Sequence, residues 1–314
     1  MFHHQTRPFG AFEIHELLDD RGNQLAIVPA FGACVTALCL YGTPILDCYQ
    51  TPEEMLINRW MKNVFIFPFP NRLKDGNYTW QGKHYQFPIN DTVTGTALHG
   101  FPAEQQPMQL IDVTTSEHQA AMTCVFDYDG HKPYYPFPIS LRVRFELDDV
   151  GHFGIESSII NKHHQEIPFG FGWHPYYSLS KTVDQMSLQL PDCEMIGIDA
   201  EMIPTGKRYP YSIFEQRRLI GSEVLDNGFY VIPDGAEETS IELAGTEGKL
   251  QLWQQTGEKG FSYLQIFTPP HRLSLAVEPM SCNINAFRNG EGLWILTPGV
   301  EKKLAFGLGF TKNG

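Results

Sequence analysis

The chain has 314 residues, of which 42% are hydrophobic, enough to bury a substantial core and to exclude wholesale disorder. Its 23 basic residues stand against 36 acidic ones, a net charge of −13. That balance argues against a nucleic-acid or anionic-membrane partner, which calls for a basic face, and leaves a small neutral ligand open.

Met1 to Glu16 carries no apolar core of signal-peptide length, and no stretch approaches a membrane span, so the expected location is soluble and cytoplasmic. The six cysteines (Cys34, Cys39, Cys48, Cys124, Cys193 and Cys282) are scattered, without a C-x-x-C pair or a second pair to complete a zinc site. They read as free thiols, with no metal site expected.

In chain order, Leu25 to Val28 and Ala33 to Leu40 flank a turn-rich break and predict a hairpin. Pro52 to Trp60 is the first helical candidate. Phe69-Pro70-Asn71-Arg72 places an arginine after a proline-broken aromatic run, where its fork could meet ligand oxygens or merely brace loop carbonyls. Asn90 through Leu98-His99-Gly100-Phe101 is a second unusual segment. Ile139 to Leu147 alternates apolar and polar residues and predicts a half-buried strand, with His152 to Asn161 as its antiparallel neighbour.

Gly170-Phe171-Gly172-Trp173-His174-Pro175-Tyr176-Tyr177 then packs a histidine among aromatic rings. The following proline disfavours helix at His174, so the histidine belongs to an extended segment. A sugar suits such a place, since its C–H faces stack on rings while its hydroxyls need polar partners. A core histidine bonded to a carbonyl is the alternative. Trp173 reads as a ring that stacks on the sugar or packs beside the site. Ile213 to Ile220 is the second helical candidate. Strands are predicted at 241–244, 250–254, 263–268, 273–277 and 303–310. In Ala276-Val277-Glu278-Pro279-Met280 an acid ends an apolar run, where desolvation would raise its pKa.

No long helices separate the strands, which argues against a parallel βαβ sheet. With no repeat and no linker-like shift, residues 1–314 read as one large antiparallel β domain. The adjacent pairs His3-His4 and His163-His164 diverge on a strand and do not suggest a shared metal. His84, His118, His131, His152 and His271 read as surface or structural groups.

Taken together, these segments resemble the aldose 1-epimerase (mutarotase) family. The matching strings are Asn71-Arg72-Leu73-Lys74-Asp75-Gly76 with Gly82-Lys83 and Tyr85, then Asn90 and Leu98-His99-Gly100. They continue with His174-Pro175-Tyr176-Tyr177, Glu278-Pro279-Met280, Asn285-Ala286-Phe287, Gly290 and Leu296-Thr297-Pro298-Gly299. The resemblance runs from about residue 25 to the end. It implies a large β-sandwich of the galactose-mutarotase type and cofactor-free interconversion of the α and β anomers of a free aldohexose.

By the same resemblance Glu278 is the catalytic base, His174 the catalytic acid, and His99 assists at the anomeric centre or ring oxygen. Arg72 and Asp226 bind hydroxyls, Asp226 against the alternative of an Asp-Asn-Gly turn. The expected geometry is an acid and a base on opposite sides of the anomeric carbon. The Glu278-Pro279-Met280 form belongs to a less characterised branch, which leaves the sugar open. Three other readings stand beside this one: a mutarotase for phosphorylated sugars, a non-catalytic carbohydrate-binding or regulatory protein of the same fold, and a glycoside hydrolase needing two carboxylates. The expected partner is a small-molecule sugar, with monomer or homodimer left open.

Overall fold

Period-2 burial governs this chain, and strands account for most of its regular structure. The computed structural model describes residues 1–257 and 260–313. Gln24–Val28 pairs antiparallel with Cys34–Leu40, the expected first hairpin, inside a five-stranded sheet at the N-terminal side. Ile139–Asp148 pairs with His152–Asn161, and Ile139, Leu141, Val143, Phe145 and Leu147 all point into the core, as their alternation requires.

Two large sheets follow. The nine-stranded one runs in the order Gln109–Thr115, Gln119–Tyr128, Ile139–Asp148, His152–Asn161, Glu301–Lys312, Gly248–Gln255, Glu238–Ala244, Ser187–Gln189 and Arg218–Leu219. The eight-stranded one runs Pro204–Pro210, Cys193–Ile198, Asp226–Val231, Tyr263–Phe267, Leu275–Met280, Gly172–Trp173 and Phe65–Ile66, with Tyr176–Tyr177 also paired to Leu275–Met280. Rings from the two sheets meet in the core: Phe65 against Phe145, and Trp173 against Phe153 and Phe306. The result is an antiparallel β-sandwich, the expected class.

The faces of the eight-stranded sheet differ. Leu264, Ile266, Leu275 and Val277 belong to the main core. Residues of opposite parity, among them Gln265, Phe267 and Glu278, lie on the other face, which carries the cavity described below.

Both helical expectations change. The first helix is Pro52–Ile57, shorter than predicted: Thr51 caps its N-terminus and Asn58, at φ 46°, stops it. Ile213 to Ile220 is not helical. Only Phe214 and Ile220 are buried there, and residues six apart fall on different sides of a helix. Arg218–Leu219 instead forms an edge strand against Ser187–Gln189. All six cysteines are free thiols, five of them buried. No helix among the described residues is long and apolar enough to cross a membrane.

Candidate active site

Three neighbouring strands supply one floor. Gly228 pairs with Gln265, and Gln265 pairs with Glu278, so these three stand in a row across the sheet. Asp226 lies two residues before Gly228 and therefore on the same face, opposite Phe267.

The other side of Glu278 is where the sequence is most specific. Gly172 pairs with Met280 and Tyr176 with Ala276. Counting inward from both, His174 falls opposite Glu278, in a gap between two short strands where Pro175 has no N–H to contribute. The His174 backbone is held from its far side instead: its N–H donates to the Val64 carbonyl at 3.0 Å, and its own carbonyl accepts from Asn63 N–H at 2.9 Å. Its Nε2 lies 3.4 Å from Glu278 Oε1. The two groups are thus side by side rather than on opposite sides of a ligand, because they occupy neighbouring positions of one sheet.

Both side chains are buried, and burial acts on each in the same sense. It pushes the His174 imidazole down to about 3. It pushes the Glu278 carboxyl well above its ordinary range, with Asp226 adding to that rise and Arg72 opposing it. The pair by itself therefore favours neutral imidazole beside carboxylic acid, with one proton in all, over separated charges. Glu278 Oε2 and His174 Nδ1 have no hydrogen-bond partner among the described residues.

His99 stands beside this pair, its ring at right angles to that of His174 with centroids 5.1 Å apart. Asn71 and His99 clasp one another: His99 N–H donates to the Asn71 carbonyl at 2.8 Å, and Asn71 N–H donates to His99 Nδ1 at 3.1 Å. With Nδ1 accepting, the ring's proton belongs on Nε2, which makes His99 a donor. Burial, with His174 and Arg72 nearby, holds its pKa well below the usual value, so it stays neutral. Gly100 completes the turn at φ +66°, where a Cβ would run into the Phe67 carbonyl.

Arg72 is fixed by Asp91 Oδ2 (3.4 Å from Nε) and by Asn71 Oδ1 (3.3 Å from Nη1). Asn71 Nδ2 donates to Gln265 Oε1 at 3.2 Å, and Gln265 Nε2 donates to Asp226 Oδ1 at 2.8 Å. Two amides thus tie Arg72 to Asp226. Burial raises the Asp226 pKa against the opposing pull of Arg72 and Gln265.

These side chains share one cavity of about 430 Å³, with Asn71, Arg72, His99, His174, Tyr176, Asp226, Gln265 and Glu278 in its lining and Trp60 and Phe267 among the apolar groups. That is within the usual size range of small-molecule pockets. Five of the six residues expected from the sequence come together here. Trp173 does not. It neighbours His174 in extended chain, so its side chain takes the opposite direction into the sandwich core, with ring centroids 5.5 Å from Phe306 and 6.2 Å from Phe153. Of the two readings of Trp173, this placement favours packing and corrects the sugar contact. Trp173→Ala should therefore cost about 3–5 kcal/mol of folding stability in denaturant titrations; a loss below about 1 kcal/mol would contradict this placement.

Asn71 and Tyr176 stood in the matching strings without a role, and Gln265 was not singled out from the sequence. Gln265 left a trace, an amide inside Tyr263-Leu264-Gln265-Ile266-Phe267, and Tyr176 lies stacked on His174 with centroids 5.1 Å apart. Among the described residues no cluster of three or more His, Cys, Asp or Glu side chains is arranged to hold a metal.

Comparison with known proteins agrees with this architecture. The chain is 30% identical over 303 residues to the uncharacterized protein YihR of Escherichia coli (strain K12), covering 91% of this chain and 90% of YihR. Its fold is similar to that of a galactose mutarotase-like protein from Clostridium acetobutylicum (TM-score 0.87, 18% identity, 99% of each chain). It is also similar to galactose 1-epimerase from Lactobacillus acidophilus NCFM (TM-score 0.84, 15% identity, 100% of this chain and 99% of that one). The model of the aldose 1-epimerase family matches residues 16–308, and the chain belongs to that family.

Proposed function

We propose that this protein interconverts the α and β anomers of an aldohexose with a free anomeric hydroxyl, by acid–base opening and closing of the ring. The observation that carries the reading is the 3.4 Å approach of His174 Nε2 to Glu278 Oε1 on the floor of the cavity. The hydroxyl oxygen O1 and the ring oxygen O5 are both bonded to C1. Two adjacent proton carriers can therefore reach one each.

A bound sugar replaces water over the pair, and its hydroxyls donate to the Glu278 carboxylate, favouring the charged form. The pair's single proton then resides on His174. Glu278 takes the proton from O1 as His174 gives its own to O5. The C1–O5 bond breaks, C1=O1 forms, and the pair again holds one proton, now on Glu278. Rotation about C1–C2 presents the other carbonyl face. Closure runs the same transfers backwards, so each group serves as acid in one direction and base in the other. His99 Nε2–H steadies the oxygen that gains charge, while Arg72 and Asp226, coupled through Asn71 and Gln265, hold hydroxyls remote from C1.

The pH dependence follows from the shared proton. Exchange needs one proton on the pair; a second inactivates it at low pH, and loss of the first inactivates it at high pH. His174 is held down to about 3, so the low-pH limb of kcat/KM should lie well below 6.5, the ordinary histidine value, while the high-pH limb belongs to Glu278, whose pKa is pushed up. A loss of activity as pH falls through 6.5 would contradict it. Arg72→Ala should raise KM roughly ten- to a hundredfold, the loss of a charged hydrogen bond, with a smaller fall in kcat; an unchanged KM would remove Arg72 from sugar binding.

The reading is tested by polarimetry or exchange NMR on a panel of free and phosphorylated aldoses, after subtraction of spontaneous mutarotation. A rate proportional to protein concentration is expected for at least one sugar. Saturable sugar binding without exchange would favour a carbohydrate-binding protein instead.

A further inference from the structure

The cavity wall formed by residues 57–61 carries a charge that the anomeric chemistry does not use. Asn58 ends the short helix in a left-handed conformation, and Arg59 and Trp60 continue as wall. The Arg59 guanidinium rests over the Trp60 ring, 5.3 Å from its centroid. Trp60 is itself packed against Phe267 and the edge of His271, at 6.0 and 5.9 Å. Arg59 itself is exposed at the cavity wall, and a guanidinium seated on an indole is held in orientation.

Arg59 has no acidic partner within ion-pair distance among the described residues. Every other arginine except Arg142 has one: Arg7, Arg21, Arg72, Arg144, Arg208, Arg217, Arg218, Arg272 and Arg288. In a chain with 36 acidic residues against 23 basic ones, an exposed arginine on the cavity wall without an acidic partner is open to an anion carried by the ligand. Arg72, the other arginine of the cavity, is already engaged by Asp91 and Asn71.

We propose that Arg59 receives an anionic substituent of the sugar, a carboxylate or a phosphate on a carbon remote from C1, so that acidic aldoses are preferred to neutral ones. This rests on the anomer-exchange reading above. With C1 and O5 committed to Glu278 and His174 on the floor, substituents on remote carbons are free to face the wall. A guanidinium fork binds either anion with two N–H donors. The cavity's own acids, Asp226 and Glu278, are the charges that would oppose such a substrate. With sugar bound, the proton on His174 balances the charge of Glu278, and Arg72, tied to Asp226 through Asn71 and Gln265, offsets that of Asp226.

The experiment compares kcat/KM for glucose, glucose 6-phosphate and glucuronate, in the wild type and in Arg59→Ala, with spontaneous exchange subtracted. At least one acidic sugar should exceed glucose by roughly tenfold or more, and Arg59→Ala should reduce that ratio by a similar factor. Which of the two leads identifies the anion. A ratio at or below one, or a ratio that Arg59→Ala leaves intact, overturns the proposal. The salt dependence of the wild type decides even if the variant does not fold. KM for the acidic sugar should rise with added sodium chloride while that for glucose stays level, and parallel behaviour of the two overturns it. Exchange confined to neutral sugars removes only the role of Arg59; exchange with no aldose removes the anomer-exchange reading and this one with it.

Discussion

Glu278→Gln should lower the protein-dependent rate of anomer exchange by about a hundred- to ten-thousand-fold, the usual worth of a placed proton carrier. Glutamine matches glutamate in shape, so the cavity keeps its form. It can neither take the proton from O1 nor store the one that the resting pair holds. The fold should tolerate the change well. Glu278 is buried with an oxygen that lacks a hydrogen-bond partner among the described residues, and burial raises its pKa, so folding must supply it with a proton, a cost that a neutral amide does not carry. Unfolding in denaturant should thus show equal or greater stability beside the lost activity. Exchange within threefold of the wild type would exclude Glu278 from the chemistry.

His174→Asn should produce a loss of the same order. The backbone ties to Asn63 and Val64 do not depend on the side chain, so the loop should keep its course, while the ring stacked on Tyr176 disappears. Glu278 would then face O1 with no neighbour to relay a proton to O5. Because the two groups share one proton and act as a unit, the double variant Glu278→Gln with His174→Asn should be little worse than either single one. Losses that multiply would mean independent roles and would contradict the shared-proton account.

Much of the β architecture was legible because burial and side-chain parity coincide in long strands. Ile139 to Asn161 shows this: ten-residue strands leave no ambiguity about which residues face inward. Parity is unreadable in a strand of two residues, and Gly172–Trp173 is one. Nothing local in the sequence tells whether Trp173 or His174 turns to the core. Ile213 to Ile220 misled because Ile213 and Ile220, seven apart, share a helix face, whereas the residues actually buried are Phe214 and Ile220, six apart.

The site was legible as residues and not as a geometry. Arg72, His99, His174, Asp226 and Glu278 stood in recognisable strings, yet their mutual placement depends on registers between strands distant in the chain. The pairings of Gly172 with Met280 and Tyr176 with Ala276 put His174 next to Glu278, where facing positions had been expected. The link between the amides of Asn71 and Gln265 was not legible, because each looks ordinary until the fold brings them together.

The most direct test is a crystal structure with an aldohexose bound. The account predicts C1 on the cavity floor, one of O1 and O5 within hydrogen-bonding distance of Glu278 and the other within reach of His174 Nε2. A sugar bound with C1 toward solvent, or seated away from these two side chains, would contradict it.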